Sequence, residues 1–134
     1  MTRRGYAAER GSMTVEFALT MPLFCLVLLA VLQAGIVARA NVLVTQAARE
    51  GARQATTSDN YGEIERAARR AAGGIDSDSL SISYTASDGW RAGNPVTVTA
   101  SYEVPCLFPG LTSVYPQGFR LSEATTMRLE KDRT

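Results

Sequence analysis

Three hydrophobic patterns follow one another along the chain, and each predicts a different element. From Phe17 to Ala38 run 22 residues without a charge, FALTMPLFCLVLLAVLQAGIVA. As a helix, at about 1.5 Å per residue, this run is about 33 Å long, close to the roughly 30 Å hydrocarbon core of a bilayer. A helix apolar on every side needs lipid or a protein wrapped around it, and the remaining chain, about 100 residues, is too small to wrap it. The expectation is a membrane span over residues 17–38. Pro22 removes one backbone donor within it and predicts a kink near residues 18–22.

The apolar positions then fall into a 3.6-residue period. Val37, Ala40, Val44, Ala47, Gly51 and Ala55 step by three or four, with Arg39, Gln46, Arg49 and Arg53 on the other side. This predicts a helical extension over residues 39–57. Ala47, Gly51 and Ala55 form a small-xxx-small seam that lets two backbones approach closely. The seam fits either the chain's own C-terminal domain or a helix of another subunit. Glu50 and Arg53 read as a solvated pair. Thr56–Gly62 (TTSDNYG) is rich in turn formers and ends the helix, with Asp59 or Asn60 able to cap the next one. Glu63–Ala72 predicts a short helix with Glu65 four residues ahead of Arg69, stopped by Gly73-Gly74.

Beyond the glycines the period drops to two. Leu80, Ile82 and Tyr84 alternate with polar residues. So do Val96, Val98, Ala100, Tyr102 and Val104, and then Phe119, Leu121, Met127 and Leu129 within a third run. Three strands covered by one or two helices make a small α+β domain. The expected fold is therefore α+β: a long N-terminal transmembrane helix extending into a small exported domain with a short helix and a roughly three-stranded antiparallel sheet. In residue terms this gives a basic leader at 1–11, the N-terminal helix at 12–57 and the exported domain at 58–134.

Charge sets the direction. Arg3, Arg4 and Arg10 precede the span with only Glu9 against them, which keeps the N-terminus in the cytoplasm; residues 39–134 balance 11 basic against 11 acidic side chains and are free to face out. This places the protein in the cytoplasmic (inner) membrane as a single pass with an extracytoplasmic C-terminal domain.

The chain of 134 residues carries a formal charge of +1 and no histidine. It has no basic footprint for nucleic acid and no Gly-rich phosphate loop opening a helix. Without histidine the usual general base, the Ser-His-Asp and Cys-His arrangements and most zinc sites are missing. The expectation is a protein without catalytic residues, metal, cofactor or small-molecule substrate. Cys25 in the span and Cys106 outside it cannot pair in this topology. Cys106 then reads as a buried thiol or as half of an intermolecular disulfide. Trp90, at a loop tip, and the uncharged Pro-broken segment Pro105–Leu111 either cover the core or form an interface, with Trp90, Cys106, Leu107 and Phe108 as candidate contact residues.

Glu16 stands at the start of the apolar run, where a carboxylate costs up to a few kcal/mol unless it reaches water or a partner. Gly11 lies five residues ahead of it, after a basic leader. This arrangement resembles the type IV prepilin processing site, which implies cleavage by a prepilin peptidase after Gly11. A new amine at Ser12 would then be available to neutralise Glu16 of a neighbouring subunit inside a packed bundle.

The resemblance extends over residues 10–56. VEFAL at Val15–Leu19, the apolar stretch led by Pro22 and AAREGAR at Ala47–Arg53 resemble the TadE family of the tight-adherence (Flp-type) pilus system. It implies a minor pilin or pseudopilin that assists pilus assembly, with prepilin peptidase, other Tad pilins, the assembly platform and the lipid bilayer as partners. Pro22, Ala47, Gly51 and Ala55 would then serve helix packing. Two other readings stand beside it. One is a single-pass anchor for an extracytoplasmic binding domain with no pilus role. The other is a secreted module cut after Ala40, since Ala38-Arg39-Ala40 has the A-x-A form of a secretory cleavage site.

Overall fold

The computed structural model describes residues 5–87, 89–107 and 118–130, with side chains from residue 12 onward except Ser77. The elements are helix α1 (Gly5–Thr57), helix α2 (Tyr61–Ala71), a 3-10 turn (Ser77–Ser79) and strands β1 (Leu80–Ala86), β2 (Pro95–Val104) and β3 (Phe119–Arg128). This is the α+β arrangement expected from the three hydrophobic patterns. The chain divides into two compact units, Met1–Gly35 and Ile36–Thr134, so the boundary falls inside α1. α1 begins at Gly5, within the leader segment, and its backbone stays helical through Pro22.

In the N-terminal unit the apolar side chains have no protein around them. Met13, Val15, Phe17, Leu19, Leu23 and Phe24 are each more than half exposed, and Leu19 reaches 75%. An 18-residue window of this helix is long and apolar enough to cross a membrane and is 0% buried.

The C-terminal unit is a three-stranded antiparallel sheet in the order β1-β2-β3. Its inner face is covered by the second half of α1 and by α2. The period-two pattern is realised most fully on β2: Val96, Val98, Ala100, Tyr102 and Val104 are buried, and the residues between them face outward. The outer face is polar and paired across strands, with Thr97 hydrogen-bonded to Thr126 (2.7 Å), Ser101 to Ser122 (3.1 Å) and Arg120 bridged to Glu103 (3.4 Å). An antiparallel sheet with one face on the core and one in water gives this alternation. At the end of the β1–β2 connection Gly93 adopts φ +86, a conformation open to glycine, and its N–H donates to the carbonyl of Leu129 at 2.8 Å.

The core is built from small residues. Ala47, Ala48, Ala52, Ala55 and Ala68 are fully buried, and Ile64, Val44, Val96 and Val98 are the largest side chains with no exposure. Small side chains bring the helices close to the sheet, and the approach is tightest at Gly51. A methyl group added there would lie 3.0 Å from Val98 Cγ1 and 3.2 Å from Ala68 Cβ. Gly51 therefore marks the point where α1, α2 and β2 meet, which accounts for a glycine in a helix interior where alanine would favour the helix by about 1 kcal/mol.

α2 starts at Tyr61, two residues ahead of the expected Glu63, and of the two candidate caps it uses the second. Asn60 caps it by accepting from the Gly62 N–H at 3.0 Å, and Ser58 Oγ donates to Glu63 Oε2 at 2.5 Å. Arg69 bridges Glu65 at 2.8 Å, the expected i,i+4 pair. From the first turn of α2, Tyr61 donates its hydroxyl to the Ile82 carbonyl on edge strand β1 (3.1 Å) and packs on Tyr84 at 5.6 Å between ring centroids.

Two substitutions test this packing. Gly51→Leu is expected to destabilise the C-terminal unit by about 1–3 kcal/mol through overpacking, and Ile64→Ala by about 2–5 kcal/mol through an unfilled cavity. The check is urea unfolding of the full chain in detergent, followed by Trp90 fluorescence; unchanged midpoints would contradict the packing.

Candidate membrane and assembly surface

The residues singled out in the sequence fall into three environments. Gly11, Ser12, Glu16 and Pro22 lie on α1 in the N-terminal unit. Ser12 and Glu16 are exposed, and Thr20 Oγ1 donates to the backbone carbonyl of Glu16 at 2.8 Å. Among the described residues no cation lies within ion-pair distance of the Glu16 carboxylate. The carboxylate therefore sits one residue before an uncovered apolar run, with no neutralising partner among the described residues. Gly11 is a locally weak point of the helix, since glycine costs about 1 kcal/mol relative to alanine there.

Ala47, Gly51 and Ala55 lie in the second environment, the core. Ala47 and Ala55 have no exposure, and Gly51 is buried between Val98 and Ala68. Of the two occupants open to this seam, the chain's own sheet and α2 fill it.

The third group lies on loops. Trp90 is half-buried and folds back, its ring edge-on to Tyr84 at 5.7 Å, so the loop tryptophan extends the Tyr61–Tyr84 aromatic row over the core. Cys106 is half-buried, Cys25 is exposed, and neither is in a disulfide. Leu107 is 47% exposed. Phe108 lies outside the described residues, as does the rest of the segment to Leu111.

One surface was missed from the sequence. Between α1 and α2 runs a groove of about 690 Å³ lined by Gln46, Arg49, Glu50, Arg53, Arg70 and Ala71, among others. A second recess of about 660 Å³ continues it along α2, past Arg66, Arg69 and Arg70. Each arginine reads alone as part of a solvated helix face. Only the antiparallel packing of α1 against α2 gathers them, and the signal available beforehand was the surplus of arginine on the polar sides of both helices.

Within the groove Arg53 forks onto Glu50, with Nη2 at 2.8 Å from Oε1 and Nε at 3.2 Å from each carboxylate oxygen. The hydrogen bonds from Arg53 hold the Glu50 carboxyl below its ordinary value of 4.5, against a small opposing effect of burial, and Glu50 in turn raises Arg53. Among the described residues no group of three or more Cys, Asp or Glu is placed to hold a metal ion.

Among the described residues there is one uncovered apolar helix segment of membrane-spanning length, and the second half of the same helix belongs to a small α+β unit. A family model described as TadE-like protein matches residues 11–53, from Gly11 to the last arginine of AAREGAR. Over that segment, about a third of the chain, the protein is similar to TadE-like proteins, and the match takes in the membrane-type helix. No curated protein and no solved structure matches the chain.

A depressed Glu50 fixes the sign of its pH dependence. Its pairing stabilises the fold above the ordinary carboxylate value and is lost as pH falls through the lowered one, while Arg53 stays charged throughout. Both side chains are exposed (39% and 72%), so the effect is strongly screened. Glu50→Gln is expected to leave the urea midpoint at neutral pH unchanged within error and to flatten the small loss of stability below about pH 4.5. A large loss at neutral pH would contradict a solvated pair.

Proposed function

We propose that this chain is a membrane-anchored minor pilin or pseudopilin that assists assembly of a Tad- or Flp-type pilus. Residues 17–38 hold it in the cytoplasmic membrane with the C-terminal unit outside, as the basic leader favours. A prepilin peptidase removes residues 1–11, and the apolar helix then packs against the helices of other pilins at the assembly platform. The chain acts by packing and charge neutralisation.

The observation that carries this reading is an uncovered apolar helix that opens on a carboxylate with no ion-pair partner among the described residues. Twelve large apolar side chains from Met13 to Leu32 are 44–75% exposed. Covering them is worth on the order of 10 kcal/mol or more in total, at about 25 cal/mol per Å². That outweighs the few kcal/mol that Glu16 costs at the hydrocarbon edge. Lipid alone satisfies the apolar surface and leaves Glu16 uncompensated. A bundle of processed helices satisfies both, because each supplies an amine at Ser12.

The secreted-module reading fits less well. Its cut after Ala40 falls inside α1, and Ala40 is 5% exposed with Ile36 and Val37 packed on the same core, so the released piece would lose part of its own packing.

The test is Glu16→Ala in cells that make the pilus. The variant is expected to be processed and to persist in membranes, while its amount in the sheared surface fraction falls about tenfold or more, the scale of one buried charge contact. Wild-type levels of the variant in that fraction would overturn the role given to Glu16.

A further inference from the structure

We propose that the arginine-lined groove between α1 and α2 is a contact surface between copies of this chain, occupied by the Asp76–Asp78 turn of a neighbouring copy. Three observations converge on it. First, the groove holds more positive charge than it neutralises. Arg53 is taken up by Glu50, which Arg70 also influences from farther off, and Glu63 lines the second recess; even so, Arg49, Arg66 and Arg70 have no carboxylate within ion-pair distance among the described residues. Second, two of these arginines are positioned. Arg66 Nε donates to the Gly62 carbonyl at 2.8 Å, and Arg70 Nε donates to the Arg66 carbonyl at 3.3 Å, so both stems run along α2 and the forked ends sit at the groove.

Third, the same chain carries a matching acidic feature with no cation on it. Asp76 and Asp78 are exposed on the 3-10 turn and form no ion pair among the described residues. The turn is held in shape, since Asp76 accepts from the Asp78 N–H and from Ser79 Oγ, each at 3.3 Å. Two carboxylates two residues apart on an ordered turn suit a groove of discrete arginines, because a guanidinium pairs with carboxylates through a planar fork. Glu50 within the groove disfavours a uniform polyanion such as a nucleic acid or a continuous phosphate surface, which would meet it as a repulsive charge.

A turn-to-groove contact joins two different patches of the same chain. Repeated from copy to copy, such a heterologous contact builds an open row when its rotation does not close. It goes beyond the pilin reading and does not depend on leader removal or on packing of the apolar helices.

The test uses two differently tagged full-length copies, co-expressed in membranes, each with Cys25→Ser and Cys106→Ser. One carries Gln46→Cys in the groove and the other Gly73→Cys ahead of the turn, where an added Cβ meets nothing nearer than the Arg70 carbonyl at 3.4 Å. The mixed disulfide is quantified against a Ser83→Cys control on the outer face of β1. The expected result is a mixed species well above the control. Arg49→Glu with Arg70→Glu in the first copy should reduce it about tenfold, as like charges now face each other. Asp76→Arg with Asp78→Arg in the second copy should then restore it, which also shows that the reversed variants fold. Crosslinking no higher than the control, or indifferent to charge reversal, would overturn the proposal. Loss without restoration would overturn it too, since a lipid or another anion would then be the occupant.

Discussion

A single helix has to meet two solvents, and the rest of the molecule follows from how its side chains divide between them. From Phe17 to Gly35 α1 is apolar all round and uncovered; from Ile36 it narrows to a stripe of small residues buried under a sheet. Only side chains as small as Ala47, Gly51 and Ala55 let a helix lie so close to β2 and α2. A larger stripe would hold the layers apart and leave a compact unit of this size without a sealed core. The uncovered half has the opposite requirement. Its Leu, Phe and Val side chains are too many to leave in water, and nothing in the C-terminal unit is large enough to take them.

This division explains which parts were legible beforehand. Period and composition located all three strands and both helices and narrowed the α2 cap to Asp59 or Asn60, because each is a local property: alternation on β2, a cap residue before α2, two glycines after it. The uncharged run and the Gly11–Glu16 spacing were equally local, and the family match over residues 11–53 begins and ends on the motifs that carried the resemblance. What sequence left open depended on which surfaces meet. The seam at Gly51 fitted its own domain or a neighbour equally well until β2 and α2 were seen against it. Trp90 could have reached outward; instead Tyr84 offers it an aromatic face. The groove of Arg49, Arg53 and Arg70 was invisible because its members come from two helices whose packing no periodicity specifies.

Since the seam is occupied internally, the proposed contacts with other subunits would fall to the uncovered apolar half of α1 and to polar surfaces of the C-terminal unit. The two differ in physical character. The first is driven by removal of apolar surface and by neutralising one carboxylate in a low-dielectric setting. The second rests on exposed arginines and aspartates, is screened by salt and contributes specificity more than affinity. An assembly protein built this way would be held in its bundle by the helix and set in register by charge.

The account is tested most directly by the intact mass and N-terminal sequence of the protein recovered from cell membranes, with and without a prepilin peptidase. A chain that begins at Ser12 only when the peptidase is present is the predicted result, because Glu16 then stands beside the amine that neutralises it in a neighbour. A chain beginning at Asn41, or a leader left intact in the presence of the peptidase, would contradict the account.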